Sequence, residues 1–346
     1  MRAVVMRPEA LTVEDRPLPQ PGEGQVLMRT LACGICGSDL HLFRHASHYY
    51  EMGLKAGVSK DILDRGVVLG HEFVGEIVSF GPKTRQTLTV GSHACAMPFV
   101  SGVYGQLPMG ASPLVDGAYA EYFLMTEDRL IPVPENTPVE AAALTEPLAI
   151  GLHAVNSTKL GNAHPAVVIG CGPIGLSVIA SLKLKGFTTI IASDLSDFRR
   201  ELALRTGATA TIDANRSTPF EQIPGTMSSQ PIVVFECTGV NGMIATSIER
   251  APARSEIIVA GITHGTEAIT PATAITKELV VRFVSFYEQT EFEQALGILA
   301  SERINWRPWI TGHVGLDGVV GAFDALRRSS QHAKILVHPD GRLPSA

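Results

Sequence analysis

The chain has 346 residues, 45% of them apolar, and its 28 Lys and Arg against 34 Asp and Glu leave a formal net charge of −6. That length suits two hydrophobic cores better than one, and a mildly acidic chain without a basic run is a poor match for nucleic acid. No apolar stretch is long enough for a signal segment or a bilayer span, so a cytoplasmic protein with no membrane partner is expected. The cysteines (Cys33, Cys36, Cys95, Cys171, Cys237) are odd in number and scattered, which speaks for thiols or ligands rather than a disulfide framework.

From Met1 to about Ala120, short apolar runs (1–6, 25–32, 73–80, 91–97) alternate with Pro and Gly clusters, the texture of a β-rich domain. Within it, Met52, Leu54, Val58, Ile62 and Leu63 recur at near-helical intervals and predict a short helix over 49–63, weakened by Gly53 and Gly57. Two segments here carry ligand chemistry. Gly34-Ile35-Cys36-Gly37-Ser38-Asp39-Leu40-His41 and Gly70-His71-Glu72 supply a thiolate, an imidazole and a carboxylate, the ligand types of a zinc site with an open position. Taken singly, each also fits a bland role: a buried thiol, a satisfied histidine, a surface charge.

Further on, Thr137-Pro138-Val139-Glu140 predicts a helix start, with Thr137 as cap, Pro138 first in the helix and Glu140 closing a capping box. Pro147 is expected to interrupt that helix and to leave Glu146 at a break. Beyond Ala163, strands and amphipathic helices alternate (166–169, 174–185, 189–193, 197–206, 232–237, 257–260), the pattern of a parallel α/β domain. A helix over 291–300 and a last strand over 334–338 follow.

The run Val167-Val168-Ile169-Gly170-Cys171-Gly172-Pro173-Ile174-Gly175 is a strand, a Gly-x-Gly-x-x-Gly turn and a helix start. Gly170 permits the tight turn, Gly172 lets a pyrophosphate approach the backbone, Gly175 lets helix and strand pack, and Pro173 and Ile174 open the helix facing the phosphates. Asp194, about 20 residues on, stands where a carboxylate accepts hydrogen bonds from an adenosine ribose and repels a 2′-phosphate, which favours NAD over NADP. Arg199 and Arg200 are the counter-signal; Arg199 is a candidate cofactor contact, although both fall in the next helix pattern, where a solvated face is the usual reading. A domain binding another nucleotide, such as a methyl donor, would share the glycine pattern.

GICGSDLH, GHEFVGEIV, EPLAIGLHAV and GCGPIG occur in the order found in zinc-dependent medium-chain dehydrogenases, and the chain resembles that family over nearly its whole length, most of all its polyol (sorbitol and butanediol) branch. The resemblance implies an α/β protein in which a GroES-like catalytic domain (1–152 and 286–346) encloses an NAD-binding Rossmann domain (153–285). It implies a zinc- and NAD-dependent oxidoreductase acting on a small-molecule alcohol or polyol, in a dimer or tetramer. Cys36 and His71 would bind one catalytic zinc, with Glu72 and Glu146 as a direct and a water-bridged or alternating ligand in unsettled order. Asp39 would orient His71, and Ser38 and His41 would form the proton relay. A zinc-free NAD(P)H-dependent reductase of the same fold and a non-catalytic nucleotide-binding relative are the alternatives.

Two departures from the family stand out. A structural zinc would need four close cysteines between Gly91 and Gly117; only Cys95 is there, so Pro98 to Gly117 is expected to be an irregular loop without metal and Cys95 a plain strand thiol. The 35 positions from Cys36 to His71 exceed the family expectation, and the extra residues include His45, His48, Tyr49 and Tyr50, a substrate lid or equally a solvated or subunit-contact insertion. Phe99, Tyr119, Phe286 and Tyr287 are candidates for the substrate pocket or for core.

Overall fold

The computed structural model describes residues 1–8, 10–102, 105–222, 230–263, 265–328 and 331–343. The chain forms two compact units, one of Met1–Glu146, Leu296–Ser301 and Ile310–Ala346, the other of Pro147–Ala295 and Glu302–Trp309. These limits differ from a division at 152 and 286 for a physical reason. Glu291 accepts a hydrogen bond from Asn156 Nδ2 and pairs with His153, and Trp309 Nε1 donates to Thr206 Oγ1, so 286–295 and 302–309 are fastened into the second unit.

The first unit is β-rich. Its long strand Gln25–Gly34 pairs antiparallel with Glu72–Phe80, Tyr122–Thr126 and the final strand Lys334–Val337, so the chain's end is a structural member of the first unit. A smaller sheet joins Ala10–Asp15, Arg2–Arg7 and Val67–Val68. Val4, Met28, Ile77, Tyr119, Phe123 and Phe323 belong to one buried cluster under these strands. In the second unit the described residues form a six-stranded parallel sheet in the order Ala210–Asp213, Ile190–Asp194, Ala166–Ile169, Val233–Glu236, Glu256–Val259, Val280–Phe283. Its central strands are buried and mainly apolar, with Glu236 and Glu256 at strand ends, as suits a sheet covered on both faces. The order reverses beside Ala166–Ile169, the switch point at which such sheets bind nucleotides.

Several local expectations are corrected. The short helix near 49–63 is two helices, Ala46–Lys55 and Lys60–Asp64, parted at Gly57, whose φ of +82° ends the first. Pro98 to Gly117 is not irregular throughout, because Phe99–Gly102 and Gly105–Pro108 pair as antiparallel strands. Thr137 does not cap: Pro138 holds the cap position without a side-chain bond, the helix is only Val139–Ala142, and no capping box with Glu140 forms. The break lies at Ala143 and Leu144, before Glu146. The next helix, Thr145–Ser157, runs through Pro147, which sits in its first turn where a backbone N–H has no helical partner to lose.

Candidate metal centre and cofactor loop

Cys36 is separated from the end of the long strand by Ile35 alone and holds the cap position of the helix Gly37–Arg44. Asp39, in the first turn of that helix, is fully buried; its Oδ2 accepts from the Cys36 amide at 3.0 Å and from the Tyr119 hydroxyl at 2.6 Å. Its other oxygen faces His71 Nδ1 at 3.4 Å. His71 therefore turns Nδ1 to a carboxylate, the arrangement that would present Nε2 to a metal. Burial pushes the Asp39 carboxyl upward, but His71, Tyr119 and the Cys36 amide outweigh it and hold the group below the usual carboxylate range. Burial likewise works against a charged His71, yet Asp39 and Cys36 raise it well above the ordinary imidazole value. Negative charge thus gathers where a cation would sit.

Glu72 opens the strand beside the long one, in register with Gly34. A Cβ on Gly34 would fall 2.1 Å from Glu72 Oε2, so the glycine makes room for that carboxylate. Among the described residues, Cys36, His71 and Glu72 form the one group of three whose ligand atoms lie within 4.8 Å of one another. Glu146 is outside that group; it is buried in the first turn of its helix, and its charge reaches Lys334. Ser38 and His41 are half-buried, three residues apart on one helix and hence on one face of it.

Lys334 is the member that sequence reasoning missed. It begins the final strand, is 1% exposed, and donates from Nζ to both Glu72 oxygens, at 2.7 and 2.5 Å, and to the Ile35 carbonyl at 3.0 Å. Burial opposes its charge, but Glu72, Cys36 and Glu146 hold the ammonium above its usual value. The only signal was a lysine leading an apolar strand. Tyr119, a candidate for pocket or core, is core, and from there its hydroxyl donates to Asp39. Cys95 is a buried strand thiol, raised to about 12 by burial, with its Sγ on the Ala142 carbonyl.

In the second unit, Gly172 caps the helix Pro173–Leu184, and a Cβ there would meet nothing within 4 Å, which leaves open space at the helix N-terminus for a pyrophosphate. A Cβ on Gly175 would fall 1.8 Å from the Gly170 carbonyl, so only glycine lets this helix close on the loop. Gly170 itself has a φ of +92°. Asp194 accepts from the amides of Cys171 at 2.8 Å and Ser196 at 2.9 Å, which fixes its carboxylate beside the glycine loop. The expectation of a solvated face for the arginines fails: Arg200 is held by Asp197, Asp213 and the Asp194 carbonyl, and Arg199 is half-buried with its charge felt at Cys171. The donor set fits zinc and the glycine loop fits a dinucleotide.

Residues 22–135 match the alcohol dehydrogenase GroES-like domain and 173–301 the zinc-binding dehydrogenase family. The chain is similar to sorbitol dehydrogenase of Gallus gallus, at 29% identity over 98% of this chain and 96% of the relative. Its fold matches 2R,3R-butanediol dehydrogenase from Bacillus subtilis with a TM-score of 0.82 and 28% identity, over 98% of this chain and 99% of that one. A Sinorhizobium meliloti 1021 chain bound to NADP matches with a TM-score of 0.82 and 26% identity, over 98% of this chain and 99% of that one. With both domains matched in order and both sequence and fold similar along almost the whole length, the chain belongs to the zinc-dependent medium-chain alcohol and polyol dehydrogenases.

Proposed function

We propose that the protein oxidises a secondary alcohol, vicinal diol or polyol to the ketone or aldehyde with NAD, using one zinc held by Cys36, His71 and a carboxylate of Glu72 or Glu146. The observation that carries this reading is the convergence of Cys36, His71 and Glu72 within 4.8 Å, with buried Asp39 behind the imidazole. The relatives named for sorbitol and butanediol support a substrate with neighbouring hydroxyls. When bound, zinc acidifies a hydroxyl as a Lewis acid and the nicotinamide accepts hydride.

The chain's own residues do the rest. Asp39 keeps the proton of His71 on Nδ1, so that Nε2 presents its lone pair. Lys334 gives the buried Glu72 carboxylate a charged partner at both oxygens. Ser38 and His41 pass the hydroxyl proton toward solvent, so that no charge is stranded. A zinc-free reductase would leave this buried ligand set without a task. NADH formation against a panel of secondary alcohols, diols and sugar alcohols tests the proposal; turnover of a diol or polyol is expected, and a zinc-loaded protein that oxidises none of them would sink it.

NAD is the cofactor of this proposal because the Asp194 carboxylate is fixed beside the glycine loop, with Arg199 as the candidate group to receive a phosphate. Asp194→Ser is expected to move the NAD-to-NADP ratio of kcat/KM toward NADP by at least about tenfold, or ~1.4 kcal/mol. An unchanged ratio would assign the choice elsewhere.

The proposed assembly is a homo-oligomer. The strand Val280–Phe283 is a sheet edge among the described residues, and around it Ile275 is 75%, Phe283 70% and Phe286 55% exposed. An apolar edge of this kind invites pairing with another copy about a two-fold axis. Phe283→Asp is expected to shift the sedimentation coefficient to that of a smaller species; a wild-type monomer would refute the assembly.

A further inference from the structure

The first unit also holds two imidazoles facing each other, His313 and His338, apart from the residues assigned above. His313 lies in the strand Ile310–Val314, and His338 follows the parallel strand Lys334–Val337, its amide donating to the Val314 carbonyl at 2.8 Å. His313 Nδ1 is 3.0 Å from His338 Nε2. The other nitrogen of His338, Nδ1, faces the Leu31 carbonyl at 3.2 Å, so it carries the proton and Nε2 carries the lone pair. A metal-bound histidine is oriented in the same way, by a carbonyl behind its second nitrogen.

Burial, and for His338 also the facing His313, holds both rings below the ordinary imidazole range, so both are neutral, the ligating form, at neutral pH. The charged groups acting on the pair are Glu140, which acts on both rings, and Asp340, which acts on His338. Two imidazole nitrogens on one tetrahedral zinc, each at about 2.05 Å, stand roughly 3.3 Å apart, so the pair need open by only about 0.3 Å.

We propose that His313 and His338 form a second site for a divalent cation of the zinc class, completed by water with Glu140 supplying negative charge. Without the ion, His313 Nδ1–H donates to His338 Nε2; on binding, that proton moves to His313 Nε2 and both converging lone pairs take the metal. The ion would clip the strands Ile310–Val314 and Lys334–Val337 together at their ends.

The test adds Co2+ to protein already carrying its tightly held zinc, which separates this site from the Cys36 centre without any turnover measurement. One further equivalent is expected, with cobalt d–d bands and no thiolate charge-transfer band. His313→Asn should weaken it by at least the roughly 10–100-fold that loss of even an outer-shell partner costs. Affinity should also fall as pH drops through the imidazole range, because protons compete for the same lone pairs. His313 is half-buried, so its variant serves even if His338→Gln does not fold. No binding beyond the tight zinc, a thiolate band, or affinity unchanged in His313→Asn would each overturn the proposal.

Discussion

Cys36→Ala is expected to lose both tightly bound zinc and all measurable alcohol oxidation, whereas Ser38→Ala keeps its zinc and loses about 10²–10⁴-fold in kcat. The two residues sit at the start of one helix, but their proposed tasks differ. Cys36 is the thiolate of the group of three, and without it an imidazole and a carboxylate already committed to Lys334 remain. Ser38 offers a hydroxyl for proton transfer, whose removal costs the amount typical of a general acid–base group. Zinc per chain and steady-state kinetics on the two variants, side by side, decide the matter. A Cys36→Ala protein with undiminished zinc would remove Cys36 from the ligand set, and a Ser38→Ala protein with normal kcat would remove Ser38 from the relay.

Lys334→Met is expected to destabilise the first unit by about 3–5 kcal/mol, the cost of leaving one member of a buried ion pair without its partner. Both side chains are 1% exposed, and Lys334 makes the two contacts to Glu72 from a strand 262 residues away in sequence. The double variant Lys334→Met with Glu72→Gln should recover much of the loss, since no buried charge is then left over. The sign with pH follows from the raised lysine: the pair's contribution is complete below the unfolded lysine value of 10.5 and is lost as pH rises through the higher folded value. Urea unfolding across neutral and alkaline pH measures this. A cost below about 1 kcal/mol, the range of a solvent-exposed pair, would contradict it.

Much of the architecture was legible because it is written locally. Short, mainly apolar runs alternating with amphipathic helices read as a covered parallel sheet, and the glycine loop needs three residues whose spacing is fixed by sterics. Cys36, Asp39, His71 and Glu72 were visible as chemistry because they fall in two short segments. What was hidden depends on distance in sequence. Lys334 reaches Glu72 only because the last strand pairs with Gln25–Gly34, and no period in the sequence encodes that pairing. Tyr119 behind Asp39 is of the same kind. The misplaced break near Pro147 has a different origin: a proline stops a helix in its interior but not in its first turn, and the choice depends on where the preceding short helix ends. Arg200 was misread for a related reason, since Asp213, which helps bury it, belongs to the next strand.

The most direct test of the central claim is zinc per chain in extensively washed protein, measured on wild type and Cys36→Ala while NADH formation from a vicinal diol or sugar alcohol is followed. The account predicts one tightly held zinc with turnover in the wild type and neither in the variant. A folded, active wild type that holds no zinc would contradict it.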